Sequence, residues 1–209
     1  MFTIAGLGNP GEKYENSRHN TGRIVVSYFA KQQGFPEFVP NGKYAGLISE
    51  HKVGPTSAKA SAGKEKKVLL IFPETFMNKS GASVSKAIKS KKAAEELIVV
   101  HDDLDIALGS FKITFDRGSG GHRGVESIIR ALKTTGFIRI RVGISPVTPK
   151  GKVRKPKGES AVDKFIISDF KPAEIAVLKK VSKKITEALE VIILEGKERA
   201  MNEFNQIGN

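Results

Sequence analysis

Three histidines, a run of carboxylates and three side-chain amides in this sequence fall where turns interrupt apolar runs, and their types suit the activation of water. His101-Asp102-Asp103-Leu104-Asp105 follows the apolar run Leu97-Ile98-Val99-Val100 directly. His19 lies between Arg18 and Asn20, and His122 lies inside Gly118-Ser119-Gly120-Gly121-His122-Arg123-Gly124. A histidine that activates water needs a carboxylate on its other ring nitrogen, to fix the tautomer and to stabilise the imidazolium. His19 is the candidate base, although a lone histidine is also commonly a packing residue. Asp102, at the expected strand end, is its natural partner, whereas Asp103 and Asp105 read as solvated loop acids. Asn9 and Asn78 stand where other strands end, so their amides could bind a carbonyl or a developing oxyanion. Asn20 reads as a helix cap. Phe76 and Met77 are either core residues or the apolar wall of a site.

Several other chemistries are poorly served. His19, His101, His122 and Asp102 could hold a metal instead, but neither H-x-H nor H-E-x-x-H spacing occurs. No G-x-S-x-G elbow or phosphate-binding G-x-x-x-x-G-K-[ST] loop is present. Gly6-Leu7-Gly8-Asn9-Pro10-Gly11 matches the dinucleotide pattern, yet Pro10 and a polar stretch separate it from the following helix. Val26 stands where a ribose-binding acid belongs. Cysteine is absent, which removes disulfides, thiolate ligands and cysteine nucleophiles and suits a reducing compartment.

The elements that must position these residues follow from the apolar patterning. Residues 2–7, 68–72 and 97–100 are short buried strands, and 111–115 alternates like a half-buried one. Ile138, Ile140, Val142 and Ile144 share one strand face, which puts Arg139 and Arg141 together on the other. A helix after Asn20 or Thr21 carries Ile24, Val25, Tyr28 and Phe29, and another follows His122 with Val125, Ile128, Ile129 and Leu132 inward. Residues 34–66 read as hairpin or loop, and 145–161 as a mobile basic loop. A long amphipathic helix begins near Pro172. The alternation predicts a single α/β domain over 1–209, a mixed and largely parallel sheet flanked by helices, with its site at the carboxyl ends of the strands.

Bulk charge is the strongest compositional signal. Lys and Arg number 35 against 22 Asp and Glu, a formal +13. That excess favours a polyanionic partner such as nucleic acid or an anionic membrane, although many basic surfaces are only solvated. No apolar run nears the roughly 20 residues a membrane helix needs, and no secretory signal is visible at the N-terminus.

Taken together, these residues resemble the bacterial-type peptidyl-tRNA hydrolases over nearly the whole chain. The resemblance rests on Gly6 to Gly11 with Tyr14, on Arg18-His19-Asn20-Thr21-Gly22, on Pro73 to Gly81 with its Thr-Phe-Met-Asn centre, on His101 to Asp105, and on Gly118 to Gly124. That family cleaves the ester joining a peptide to the 3′-terminal ribose of tRNA. The resemblance implies His19 as general base and Asp102 as its support. Asn9 would contact the peptide and help reject free aminoacyl-tRNA, and Asn78 would position substrate or stabilise the tetrahedral intermediate. Tyr14, Phe76 and Met77 would line the channel, with His122 and Arg123 beside the substrate and Arg141 on tRNA phosphate. It also implies peptidyl-tRNA as partner, no metal or other cofactor, no membrane, and a cytoplasmic monomer. The chain departs from the pattern at Arg123, where the family usually has Asn. Strand 111–115 offers only Lys112 where basic residues are common, and the basic loop at 150–157 is longer than is typical. Two alternatives stay open: a non-catalytic RNA-binding protein on this fold, and a metal-dependent hydrolase using His19, His101 and His122.

Overall fold

The structure, a computed structural model, describes residues 1–55 and 64–205. Seven strands build one sheet: β1 Phe2–Gly6, β2 Val39–Asn41, β3 Gly46–Val53, β4 Lys66–Pro73, β5 Leu97–Ala107, β6 Phe111–Phe115 and β7 Ile138–Ser145. Their order is β2-β3-β4-β1-β5-β7-β6, with β4, β1, β5 and β7 parallel and the edge pairs antiparallel. Parallel neighbours require crossovers, and helices supply them. These are α1 Thr21–Gln32, α2 Ser80–Ala87, α3 Lys91–Ala94, α4 Arg123–Leu132, α5 Glu159–Ile167, α6 Pro172–Glu195 and α7 Lys197–Phe204.

Alternate residues of the central strands feed the two larger cores, and Ile48 of β3 with Leu69 and Ile71 of β4 forms a smaller third cluster. Ile98 and Val100 of β5 join Val25 and Phe29 of α1 and Leu178, Ile185 and Leu189 of α6 on one face. Leu97 and Val99 join Val84 of α2 and Val125 and Ile128 of α4 on the other. Burial of both faces explains why the central strands read as unbroken apolar runs. The expected mixed, largely parallel sheet is therefore the observed one.

Local differences have identifiable causes. β5 does not stop at His101: it continues to Ala107 beside β7, with a register shift between Asp103 and Ala107. The carboxylates thus project from a strand rather than from a loop. The expected hairpin in 34–66 exists as β2 paired with β3, and its portion 56–63 lies outside the described residues. Within α1 the buried stripe is Val25, Val26, Phe29 and Ala30, while Ile24 and Tyr28 are half-buried. Arg139 and Arg141 do share a face, but Arg139 is buried. Its guanidinium pKa is lowered by that burial and by neighbouring Arg141. The segment 145–161 is less open than its composition suggests. Val147 bridges Val153, and α5 starts at Glu159. Among the described residues no helix is long and apolar enough to cross a membrane.

Candidate active site

A cleft of about 770 Å³ opens at the carboxyl ends of β1, β4 and β5. Its floor is Asp102, 3% exposed, with Oδ1 and Oδ2 each 3.0 Å from His19 Nδ1. His122 Nε2 lies 3.0 Å from Oδ1 of the same carboxylate. Two residues separated by 83 positions thus meet within hydrogen-bonding distance.

The backbone fixes the tautomers. Gly120 and Gly121 take positive φ values of 63° and 82°, a conformation open to glycine, and turn the chain so that His122 becomes the N-cap of α4. Its Nδ1 accepts from the Gly124 and Val125 N–H groups at 3.1 and 3.3 Å. Nε2 must therefore carry the proton it presents to Asp102. An ionised Asp102 can only accept, so His19 donates from Nδ1 and keeps the Nε2 lone pair for the cleft. Beneath them His101, 1% exposed, donates from Nδ1 to the Asp102 carbonyl at 2.7 Å. Its ring stands edge-on to His122 at 4.6 Å.

Charge follows from this arrangement. Burial alone would push the Asp102 carboxyl up, but electrostatic attraction to His19 and His122, with the hydrogen bonds they donate, holds it far below the usual carboxylate range. Burial opposes charge on His19, yet Asp102 outweighs it and holds the imidazole above its ordinary value. Arg123 pulls His19 down and Asp163 pulls it up. His101 is driven well below its ordinary range by burial and by His122, so it stays neutral.

His19 Nδ1, the Asp102 carboxylate and His122 lie within 4.8 Å of one another, close enough to invite a cation. The hydrogen bonds do not suit one. Ligation through His122 Nε2 would move its proton to Nδ1, which already faces two backbone N–H groups.

Amides complete the rim. Asn9 Oδ1 accepts from the Met77 N–H at 2.9 Å, which leaves the Asn9 NH₂ as a donor on the cleft wall. Asn20 occupies the N-cap position of α1, as expected, but its side chain makes no capping hydrogen bond. Its Oδ1 accepts from the Asn9 N–H at 2.8 Å and its Nδ2 donates to the Asn9 carbonyl at 3.0 Å. The local cap signal and this distant pairing use the same side chain, and the pairing with the Gly8-to-Gly11 turn wins. Met77 is buried against α4, while exposed Phe76 and Asn78 form the wall.

Among the residues singled out from sequence, Asn9, His19, Phe76, Met77, Asn78, Asp102, His122 and Arg123 line the cleft together. Tyr14 and Arg141 do not. Tyr14 stands under Lys13, and Arg141 Nε is bound to Asp103 Oδ2 at 2.7 Å. Asp103 and Asp105 are paired rather than free, Asp105 with Lys155. The contribution of α5 was missed. Glu159, Val162, Asp163, Ile166 and Ile167 supply the opposite wall, and Arg123 reaches Glu159 at 2.8 Å and Asp163 at 3.5 Å.

This cleft presents a buried carboxylate hydrogen-bonded to a histidine whose other ring nitrogen is left for the cleft, beside amide donors, a set suited to base-assisted attack of water on a carbonyl. The sequence model of the family described as peptidyl-tRNA hydrolase matches residues 3–209. The peptidyl-tRNA hydrolase of Syntrophotalea carbinolica is 37% identical over 98% of this chain and 97% of its own. That of Thermodesulfovibrio yellowstonii is 38% identical over 99% and 100%. The crystal structure of peptidyl-tRNA hydrolase from Acinetobacter baumannii superposes with a TM-score of 0.80 at 26% identity, covering 98% of this chain and 94% of that one.

Proposed function

The chain belongs to the peptidyl-tRNA hydrolase family and hydrolyses peptidyl-tRNA, releasing tRNA for reuse, and we propose that His19, supported by Asp102, is the base that drives this ester cleavage without a metal. The observation that carries the reading is the buried Asp102 carboxylate shared between His19 Nδ1 and a tautomer-locked His122. In this mechanism His19 Nε2 takes a proton from water as the oxygen attacks the ester carbonyl. Asp102 stabilises the resulting imidazolium. The Asn9 and Asn78 amides donate to the oxyanion. As the tetrahedral intermediate collapses, the C–O bond to ribose breaks and the imidazolium returns its proton to the departing 3′ oxygen. An ester has a better leaving group than an amide, so one base and an oxyanion donor suffice.

Phe76 and Met77, with the apolar side of α5, would hold the peptide. Tyr14 and Arg141 would act outside the cleft, Arg141 on tRNA phosphate once released from Asp103. Arg123, tied to α5, would occupy the position where the family usually places an amide. The enzyme would work as a cytoplasmic monomer.

The first test is release of tRNA from N-acetyl-aminoacyl-tRNA with and without EDTA across pH. Turnover is expected to survive EDTA, and kcat/KM to fall on the acid side with a midpoint above the ordinary imidazole value of about 6.5. The sign follows from the base role: His19 works when neutral, and Asp102 raises the pH at which it becomes neutral. Loss of activity in EDTA, restored by a divalent metal, would remove the metal-free mechanism.

A second expectation concerns Asn20. Asn20→Ala deletes both hydrogen bonds to the Asn9 backbone. Misplacing a catalytic group by about 1 Å can cost roughly 100-fold, so kcat/KM should fall by about 10- to 100-fold. Stability should drop by only about 1–3 kcal/mol. An unchanged kcat/KM in a folded variant would show that Asn9 needs no such anchor.

A further inference from the structure

The catalytic cleft is poor in available positive charge. Asp102, Asp103, Asp105, Glu159 and Asp163 line it, against Arg123 and Lys155. Both cations are already engaged, Arg123 with Glu159 and Asp163, and Lys155 with Asp105. Yet the chain carries +13 and its substrate is a polyanion. Phosphates that supply affinity must then be met elsewhere on the surface.

α6 offers such a place. It starts beside the site, where Arg18, the neighbour of His19, reaches Glu174 at 2.7 Å. At about 1.5 Å of rise per residue, Lys180, Lys183 and Lys184 follow roughly 9–15 Å further along the helix axis. These three lysines line a groove of about 330 Å³ between α6 and the turn from β5 into β6. All three are exposed, and none makes an ion pair among the described residues. Phe111 and Phe204, with ring centroids 6.3 Å apart, give the groove an apolar floor, and among the described residues Glu187 is the one carboxylate lining it. Three ammonium groups gathered in one groove repel one another unless an anion joins them. Lysine is a point charge with rotatable donors, suited to phosphates that vary in position and sequence context.

We propose that this groove is a second contact for the tRNA of the substrate, holding backbone phosphates outside the catalytic cleft. The proposal rests on peptidyl-tRNA being the substrate. It separates the work: the acidic cleft handles the ester and peptide, and the lysine face of α6 handles the polyanion.

The test compares full-length N-acetyl-aminoacyl-tRNA with the same ester on a CCA trinucleotide. The proteins are wild type, K180Q/K183Q/K184Q and the charge-retaining K180R/K183R/K184R. In about 0.15 M salt the Gln variant should raise KM for the full-length substrate by about tenfold at unchanged kcat. It should also reduce the slope of log KM against log salt by about 2 to 3, one step per lost cation. The trinucleotide ester should be cleaved as by wild type, and the Arg variant should behave as wild type on both. Equal losses on both substrates, or no loss on either, would overturn the proposal. A wild-type enzyme that cleaved neither ester would overturn the substrate reading, and this one with it.

Discussion

Asp102→Asn is expected to lower kcat by about 10³- to 10⁴-fold in a folded protein, as much as His19→Ala. The size follows from hydrogen-bond direction rather than from lost charge alone. Asp102 accepts from both His19 Nδ1 and His122 Nε2. An asparagine has one acceptor oxygen and one NH₂ donor. His122 cannot change tautomer, because its Nδ1 accepts from the Gly124 and Val125 N–H groups. The oxygen of the introduced amide must therefore take the Oδ1 position facing His122, which puts its NH₂ in the Oδ2 position, also 3.0 Å from His19 Nδ1. An NH₂ there competes with the His19 Nδ1–H and favours a nitrogen that accepts, which moves the His19 proton to Nε2 and takes the lone pair from the nitrogen facing the cleft. The variant also loses the charge that raises the His19 pKa, so any residual acid limb should shift to lower pH. The double variant His19→Ala/Asp102→Asn should be no slower than His19→Ala alone, since the two act as one unit. Adding His122→Leu to Asp102→Asn frees the amide to turn its oxygen toward His19 and should recover part of kcat. Single-turnover rates on N-acetyl-aminoacyl-tRNA across pH would check all three. A loss below about tenfold for Asp102→Asn would mean that orientation by Asp102 is not central.

The same hydrogen bonds explain what could be read from the residues in order. His19 and Asp102 were legible as a pair because a water-activating histidine needs a carboxylate, and the apolar run Leu97–Val100 aimed one at a strand end. The length of β5 was not legible: its continuation to Ala107 depends on pairing with β7, a contact no local pattern encodes. Asn20 carried a true cap signal, overridden by a partner eleven positions away. His122 was visible as a histidine in a glycine-rich turn, but its tautomer lock depends on where the first N–H groups of α4 point. α5 escaped notice because it is short, buries no residue fully and follows a basic stretch of loop-like composition. With it went the recognition that Arg123 faces two carboxylates. The groove beside α6 was half legible: an amphipathic helix from Pro172 was expected, and Lys179, Lys180, Lys183 and Lys184 fall on its polar face, but the aromatic floor comes from β6 and α7, remote in sequence.

The structure also predicts a large effect at a residue with no side chain at all. Gly22, the second residue of α1, lies against the junction of β1 and β5. A Cβ there would stand 2.2 Å from the Val100 carbonyl oxygen, 2.4 Å from the Leu7 nitrogen and 2.6 Å from the Leu7 oxygen. All three are backbone atoms, and they are joined to one another and to α1: the Leu7 N–H donates to Val100 at 3.0 Å and the Arg23 N–H donates to Leu7 at 3.2 Å. No side-chain rotation can relieve such a contact, so Gly22→Ala must lift the start of α1 off the sheet by about an ångström. Backbone clashes of this kind fall among the largest single-residue costs, here about 3–5 kcal/mol. The displacement acts on chemistry as well, because His19 lies three residues before Gly22 and Asp102 two residues after Val100. The wedge enters between His19 and Asp102. Activity per folded molecule should fall by about 100-fold, with the urea midpoint lowered in parallel. Measuring both on the same preparation at low temperature separates the two effects. An unchanged urea midpoint would show that the helix can ride above the strands without cost, and unchanged turnover would show that the His19–Asp102 contact does not depend on this close approach.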